Sequence, residues 1–161
     1  MNKYVKIALD NMEIIIASIF IVITTSIVLV NVFLRYFMHT GLYWSEEVAT
    51  SCFVWCVFVG SAGAYRNHAH LGVDLVVKKL PRIPRMIVEV IVDLILIVLN
   101  AYILYLSIIF VSNSYVKPTA VLGVSSAWVS SSLIVSFGLT TIYAIKDLVQ
   151  LLLKIKKGEE V

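Results

Sequence analysis

The sequence has little charge. Of its 161 residues, 14% are Asp, Glu, Lys or Arg and 60% are hydrophobic, whereas a typical soluble domain carries about 25% charged residues. A soluble chain of this length cannot build a core that hides so many apolar residues. The composition therefore argues against a soluble domain and indicates an integral membrane protein.

Cysteine and histidine are also scarce, and their positions argue against several kinds of site. Cys52 and Cys56 stand four apart within an apolar run, which matches neither a C-x-x-C redox pair nor a four-ligand zinc site. The three histidines fall in connections, away from the depth at which a helical bundle places haem ligands. The sequence has no Gly-rich phosphate loop. We therefore expect no cofactor, no metal and no catalysis by this chain.

Four long apolar segments are what the sequence does contain. About 20 apolar residues cross the ~30 Å core of a bilayer as a helix, and the polar connection at 66–85 has the pattern of a short amphipathic surface helix. We predict an all-α membrane protein in which residues 1–161 form a single domain. The predicted spans are about 12–36, 46–66, 86–112 and 127–146.

The basic residues predict the orientation. Of the thirteen Lys and Arg, eleven lie in the N-terminus, the 66–85 connection and the C-terminal region. The positive-inside rule then puts both termini in the cytoplasm and the turn around Trp44 outside. The basic residues form no block typical of nucleic-acid binding, so the expected partner of this charge is membrane lipid.

The stretch from Tyr43 to Glu47 joins the first two spans and carries the densest polar chemistry. Tyr43 and Trp44 are predicted to be interfacial anchors at the headgroup level. Ser45 is predicted to cap the second helix by accepting hydrogen bonds from its first free amides.

Arg35 ends span one on the same side of the membrane where Glu46 and Glu47 open span two. A charge pairing across this hairpin is geometrically reasonable. Two interpretations stay open: an ordinary interfacial ion pair, or a cluster that holds the hairpin or docks a partner subunit.

Small and polar residues inside the spans predict close helix packing. A stripe at i, i+4 spacing on span two packs within the chain or receives a helix from another subunit. Asn31 and Asn100 are the polar intramembrane candidates, and Asn100 is predicted to bond to a neighbouring helix or across a subunit interface. The stripe on span two is Cys52, Cys56, Gly60 and Ala64, and a second one on span four is Ser132, Ser136, Thr140 and Ala144.

Two features of ion-coupled carriers are missing. Such a carrier needs an ionisable group at mid-membrane depth, and the sequence places none there. Its binding sites are often built from helices broken by Gly or Pro, yet none of the three prolines lies within a predicted span. A self-contained homo-oligomeric carrier is therefore disfavoured. An accessory subunit of a respiratory complex is the other alternative.

Several motifs resemble the small membrane subunit of tripartite ATP-independent periplasmic (TRAP) transporters, the DctQ-like family. The specific part is the Trp-Ser-Glu-Glu start of span two followed by the His-x-x-x-Asp motif of the cytoplasmic loop. The matching residues are Asn31-Val-Phe-Leu-Arg35-Tyr36, Trp44-Ser45-Glu46-Glu47, Phe53-Val54-Trp55, Gly60, Ala64-Tyr65-Arg66, His70, Asp74 and Leu80-Pro81.

The resemblance implies a scaffold role in the bacterial inner membrane. In that family the small subunit braces a large membrane subunit that moves substrate and sodium, and a periplasmic binding protein delivers an organic acid. Sodium coupling is then expected in the partner subunit. The substrate is expected to be sialic acid, which the look of residues 42–81 slightly favours, or a C4-dicarboxylate.

Overall fold

The part of the chain that the structure describes folds into four helices. The structure, a computed structural model, describes residues 11–67 and 82–157. These residues form α1 (Met12–Phe37), α2 (Ser45–Arg66), α3 (Arg82–Ser114) and α4 (Ala127–Lys157). All four are long and apolar enough to cross a membrane, so the predicted all-α, four-span fold is confirmed. The predicted surface helix, with His70 and Asp74, lies outside the described residues.

The last two helices are longer than the spans predicted from hydropathy. α3 begins at Arg82 rather than near 86, and α4 continues to Lys157 rather than ending near 146. Lys146 and Asp147 interrupt the apolar run, but Leu148 and Val149 resume it, and the segment apolar enough to cross a membrane extends to Ile155. No Gly or Pro follows Lys146 in α4 to stop the helix.

The helices pack as a row in the order α1, α2, α4, α3. α1 packs against α2, α2 against α4, and α4 against α3, and no other pair of helices comes into backbone contact within the described ranges. α1 and α3 therefore have one packed neighbour each. Their outward faces carry large apolar side chains such as Leu29 (63% exposed) and Tyr105 (60%), which suit lipid or another membrane subunit.

Small side chains bring the helices close together. Ala62 of α2 and Ala144 of α4 are completely buried. A Cβ atom placed on Gly60 would lie 3.3 Å from the Cβ of Ala17, so the backbones of α1 and α2 nearly touch there. Such close approach is how membrane helices gain packing energy without a hydrophobic driving force. The second predicted stripe on α4 is buried along its whole length, at Ser132, Ser136, Thr140 and Ala144.

Candidate functional site

Polar side chains join the helices at both ends of the bundle. One end holds the turn 38–44 and the loop 115–126, and we call it the turn end. There the Oδ1 atom of Asn31 accepts a hydrogen bond from the Leu42 amide at 2.8 Å. Asn31 thus ties α1 to the turn that leads into α2. In the same turn His39 adopts a left-handed backbone with φ 57°, a conformation in which His is enriched among non-glycine residues.

Ser45 does not cap α2 in the way the sequence predicts. Trp44 occupies the cap position, without a side-chain capping bond. The hydroxyl of Ser45, which is 1% exposed, donates to the Leu42 carbonyl at 2.7 Å. The prediction is wrong because the buried hydroxyl faces back into the turn and not toward the free amides of the helix.

Glu47 contacts the distant loop between α3 and α4. Its Oε2 atom accepts from the Val121 amide at 2.8 Å, and its two carboxylate oxygens lie 3.3 and 3.4 Å from the Leu122 amide. The carboxylate therefore bonds two consecutive backbone N–H groups in a part of the chain more than 70 residues away. Hydrogen bonds with a charged acceptor are stronger than neutral ones.

The loop that Glu47 contacts is itself folded, and we call residues 115–126 the loop hairpin. The Thr119 amide donates to the Val124 carbonyl at 2.7 Å, and the Val124 amide donates to the Thr119 hydroxyl at 3.1 Å. Gly123, with φ +66°, makes the reversal. At its base, the Ser125 hydroxyl donates to the Tyr115 carbonyl at 2.9 Å.

The structure does not join Arg35 to either glutamate of the predicted cluster. The ion pair found among residues 11–67 and 82–157 joins two other side chains, at the opposite end of the bundle. Arg35 and Glu46 are both exposed. Glu46 and Glu47 follow one another on a helix, so they point about 100° apart and only Glu47 faces the loop hairpin. Tyr43 is 80% exposed at this end, and Trp44 is half-buried.

The opposite end of the bundle carries an ionic cluster that sequence reasoning missed, and we call it the terminal end. Arg66, at the end of α2, pairs through Nη1 with the Oε2 atom of Glu13 at 3.0 Å. The Tyr143 hydroxyl of α4 donates to Oε1 of the same carboxylate. The Arg66 guanidinium and the Lys146 ammonium lie 5.9 and 5.6 Å from the centre of the Tyr143 ring, within the range of a cation–π contact.

A signal for this cluster was present in the sequence. Glu13 lies in the first turn of α1 and Arg66 in the last turn of α2, which are the positions where a helix dipole favours those charges. In an antiparallel hairpin of two such helices, these two turns lie side by side.

Part of the predicted stripe on α2 lines a groove. Together with α1 residues that include Ala17 and Ser18, the side chains of Cys56, Gly60 and Ala64 border an open groove of about 270 Å³. Cys52, half-buried, lies outside the groove lining. Gly60 therefore packs against α1 within the chain. The other predicted role of the stripe, contact with a helix of another subunit, stays a prediction.

Asn100 forms its hydrogen bond within its own helix. Its Nδ2 group donates to the Leu96 carbonyl of α3 at 2.8 Å. Within the described residues no bond from Asn100 to a neighbouring helix is found, and its side chain is half-buried. Such a bond to the i−4 carbonyl satisfies one of the two amide donors of Asn100 without a partner on another helix.

These contacts hold helices and loops together. Glu47 and Asn31 fix the turn end, and Glu13 and Arg66 fix the terminal end. Small residues and aromatic ring contacts join the helices between the two ends. Within the described part of the chain, no group of three His, Cys, Asp or Glu side chains is placed to hold a metal ion.

The known proteins reported next, which are similar to this chain, are described as transporter subunits. Two Haemophilus influenzae proteins described as TRAP transporter small permeases are 33% and 31% identical to the chain over 103 and 87 residues, which are 64% and 54% of the chain. The aligned segments cover 60% and 53% of those two proteins. A Vibrio cholerae protein, the C4-dicarboxylate TRAP transporter small permease protein DctQ, is 29% identical over 72 residues, 45% of the chain and 31% of its own length.

A family match covers more of the chain than any of these relatives. Residues 24–154 match the family of tripartite ATP-independent periplasmic transporters, DctQ component. The matched range includes the turn end, the loop hairpin and most of all four helices. The chain therefore belongs to the DctQ family of TRAP transporter small permeases.

Proposed function

We propose that this chain is the static brace of a sodium-driven TRAP transporter in a bacterial inner membrane. A large membrane subunit carries the organic acid and sodium, a periplasmic binding protein delivers the acid, and this chain holds the large subunit's fixed part. The turn end then faces the periplasm and both termini face the cytoplasm. Catalysis is not part of this role.

The observation that carries the proposal is the pair of polar contacts at the two ends of the bundle. Glu47 binds the loop hairpin at 2.8 Å, and Arg66 pairs with Glu13 at 3.0 Å. Helices fixed at both ends and packed through small side chains suit a frame against which another subunit moves. The family membership supplies the kind of complex.

The experiment is sodium-driven uptake in proteoliposomes that contain this chain alone, the large subunit alone, or both. Each preparation receives the cognate binding protein and radiolabelled sialic acid or, separately, succinate. Succinate is included because the Vibrio cholerae relative is named for C4-dicarboxylates. Uptake only when both subunits are present supports the brace and identifies the acid. Uptake by this chain alone would instead support a self-contained carrier.

A further inference from the structure

We propose that the row of helices lies in the bilayer at a tilt of about 40° from the membrane normal, leaning within the plane of the row. The surface that contacts the hydrocarbon core is then a slanted band across the two faces of the row. Two features support this orientation: the offset between neighbouring helices, and the positions of the charged side chains near their ends. The orientation is the same whichever end of the bundle faces the cytoplasm.

The apolar spans are too long for upright helices. The spans in α3 and α4, Met86–Ser114 and Ala127–Ile155, have 29 residues each, which is about 43 Å of helix at 1.5 Å per residue. The span of α1 has 26 residues, or about 39 Å. Because the hydrocarbon core is about 30 Å thick, upright helices would leave about 9–13 Å of each span outside it. A tilt of about 40° reduces the thickness that these spans cross to about 30–33 Å.

Within each hairpin the two helices lie at similar levels. Ala17 of α1 faces Gly60 of α2, so the first residue of α1 lies beside the last turn of α2. The Ser125 hydroxyl, just before α4, donates to the carbonyl of Tyr115, just after α3, at 2.9 Å. α3 therefore ends beside the start of α4. Each hairpin can be treated as one unit when the levels of the two are compared.

The two hairpins are displaced along their axes. The Trp55 ring of α2 packs against that of Trp128, the second residue of α4, with centroids 5.7 Å apart. α2 begins ten residues before Trp55, so it starts about 13 Å nearer the turn end than α4 does. At the other end α2 stops at Arg66, beside Tyr143, whereas the apolar span of α4 continues to Ile155, about 18 Å further. The α3–α4 hairpin is therefore displaced by about 15 Å toward the terminal end.

This displacement gives the size and direction of the tilt. Packed helices lie about 8–10 Å apart, so the middles of two hairpins that follow one another in a row are about 18 Å apart. A displacement of about 15 Å over this distance becomes level when the row leans by about 40° in its own plane. The span lengths give the same angle. One flat hydrocarbon core of about 30 Å therefore fits all four helices.

Charged side chains mark one edge of the slanted band. Arg66 ends α2 and the exposed Lys154 lies near the end of α4, and the tilt brings both to the headgroup level. In an upright row, a membrane surface at Arg66 would leave Val149 (49% exposed) and Leu153 (52%) of α4 in water. A surface at Lys154 would instead put the Glu13–Arg66 pair about 16 Å below it, near the middle of the bilayer, where charges are costly.

Three exposed apolar residues distinguish the tilted row from an upright one. Val22 of α1 and Ile108 of α3 lie at about the same level along the helix axes, whereas Leu94 of α3 lies about 21 Å nearer the terminal end than Ile108. Their side chains are 63%, 49% and 54% exposed, respectively. In the tilted row Val22 shares its membrane depth with Leu94. In an upright row it shares its depth with Ile108.

The experiment places one nitroxide label on the full chain in vesicles of dioleoyl phosphatidylcholine. Val22→Cys, Leu94→Cys and Ile108→Cys are made singly, with Cys52→Ala and Cys56→Ala as the common background. Electron paramagnetic resonance measures depth from the collision rates with oxygen and with a water-soluble nickel complex. We expect the labels at Val22 and Leu94 to lie near the bilayer midplane, and the label at Ile108 to lie about 10 Å nearer the headgroups. Equal depths at Val22 and Ile108, with a different depth at Leu94, would overturn the tilt.

A second measurement needs no substitution. Polarised infrared spectroscopy of the unmodified chain in oriented bilayers of the same lipid gives the mean angle between the helices and the membrane normal. We expect about 40°, and a mean angle of about 20° or less would contradict the proposal. Low oxygen collision rates at all three labels would assign the edge faces to a second copy of the chain, and the lipid-facing band would then be wrong.

Discussion

At the scale of single residues, the charged side chains discussed here are of two kinds. Some form bonds within the chain, and others are exposed on its surface. Glu47 and the pair Glu13–Arg66 bond within the chain. Arg35 and Glu46 are exposed. The Trp-Ser-Glu-Glu motif at the start of α2 predicted a structural or docking role for this region. It could not predict which glutamate bonds inward, because that depends on where a loop more than 70 residues away comes to lie.

Glu13→Gln should destabilise the protein by about 2 kcal/mol. The side chains of Glu13 and Arg66 are 10% and 24% exposed, and removal of one partner leaves the other charge poorly solvated. The free energy of unfolding in mixed detergent micelles measures this effect. Tyr143→Phe removes one hydrogen bond to the same carboxylate and should cost about 1 kcal/mol. Equal stability of Glu13→Gln and the unmodified protein would show that the ion pair contributes nothing.

At the scale of helices, the sequence predicts the spans well and their neighbours poorly. An apolar run is a local property, so four runs predicted four helices. The choice of neighbours depends on surfaces that meet only in the folded chain. The polar side chain of Asn100, for example, predicted a bond to another helix, whereas in the structure it bonds to Leu96 of its own helix. The helices also run on beyond the predicted spans, as α4 does past Lys146.

Gly63→Ala should destabilise the contact between α1 and α2 by about 1–2 kcal/mol. A Cβ atom at this position would lie 3.1 Å from Cγ1 of Ile14 and 3.2 Å from Cβ of Glu13, which is too close unless α1 shifts. Gly138→Ala is the matched control, because nothing lies within 4 Å of a Cβ there and a helix gains up to about 1 kcal/mol from the exchange. We therefore expect Gly63→Ala to lower the thermal unfolding temperature and Gly138→Ala to raise it. A stabilised Gly63→Ala protein would contradict the close approach of α1 and α2.

The contact between α2 and α4 can be tested in a similar way. Ser136 is 1% exposed, and its hydroxyl lies 3.2 Å from that of Ser61. Ser136→Leu should therefore cost about 1–3 kcal/mol through overpacking. The same change at Ser112, an exposed residue of α3, should stay within about 0.5 kcal/mol. Similar thermal unfolding of the two variants would argue against a tight contact at this point.

At the scale of the whole molecule, a row of helices offers more outward surface than a closed four-helix bundle. Both edge helices present large apolar side chains, and the charges at Arg35 and Glu46 lie exposed at the turn end. Neither the edge position of α1 and α3 nor the row itself could be predicted from hydropathy, which has no information about which apolar face meets protein and which meets lipid.

Arg35→Ala and Glu46→Gln should each weaken assembly with the large subunit while leaving the isolated chain as stable as before. These side chains have no ion partner within the described residues. A loss of assembly would therefore reflect lost contacts between them and the large subunit. We expect about a fivefold to tenfold loss of large subunit in co-purification. Full recovery of the complex with both changes combined would remove these residues from the interface.

The order of the row also has a consequence for how the chain is made. α1 and α2 follow one another in synthesis and are neighbours, so this hairpin can form as soon as both have entered the bilayer. α3 is inserted next, yet the helix that packs against it is α4, which is synthesised last. Until then Ser107 and Ser114, which are 4% and 5% exposed in the finished fold, face lipid. The fold can therefore be assembled from two successive hairpins, α1–α2 and α3–α4, which are joined through the contact between α2 and α4.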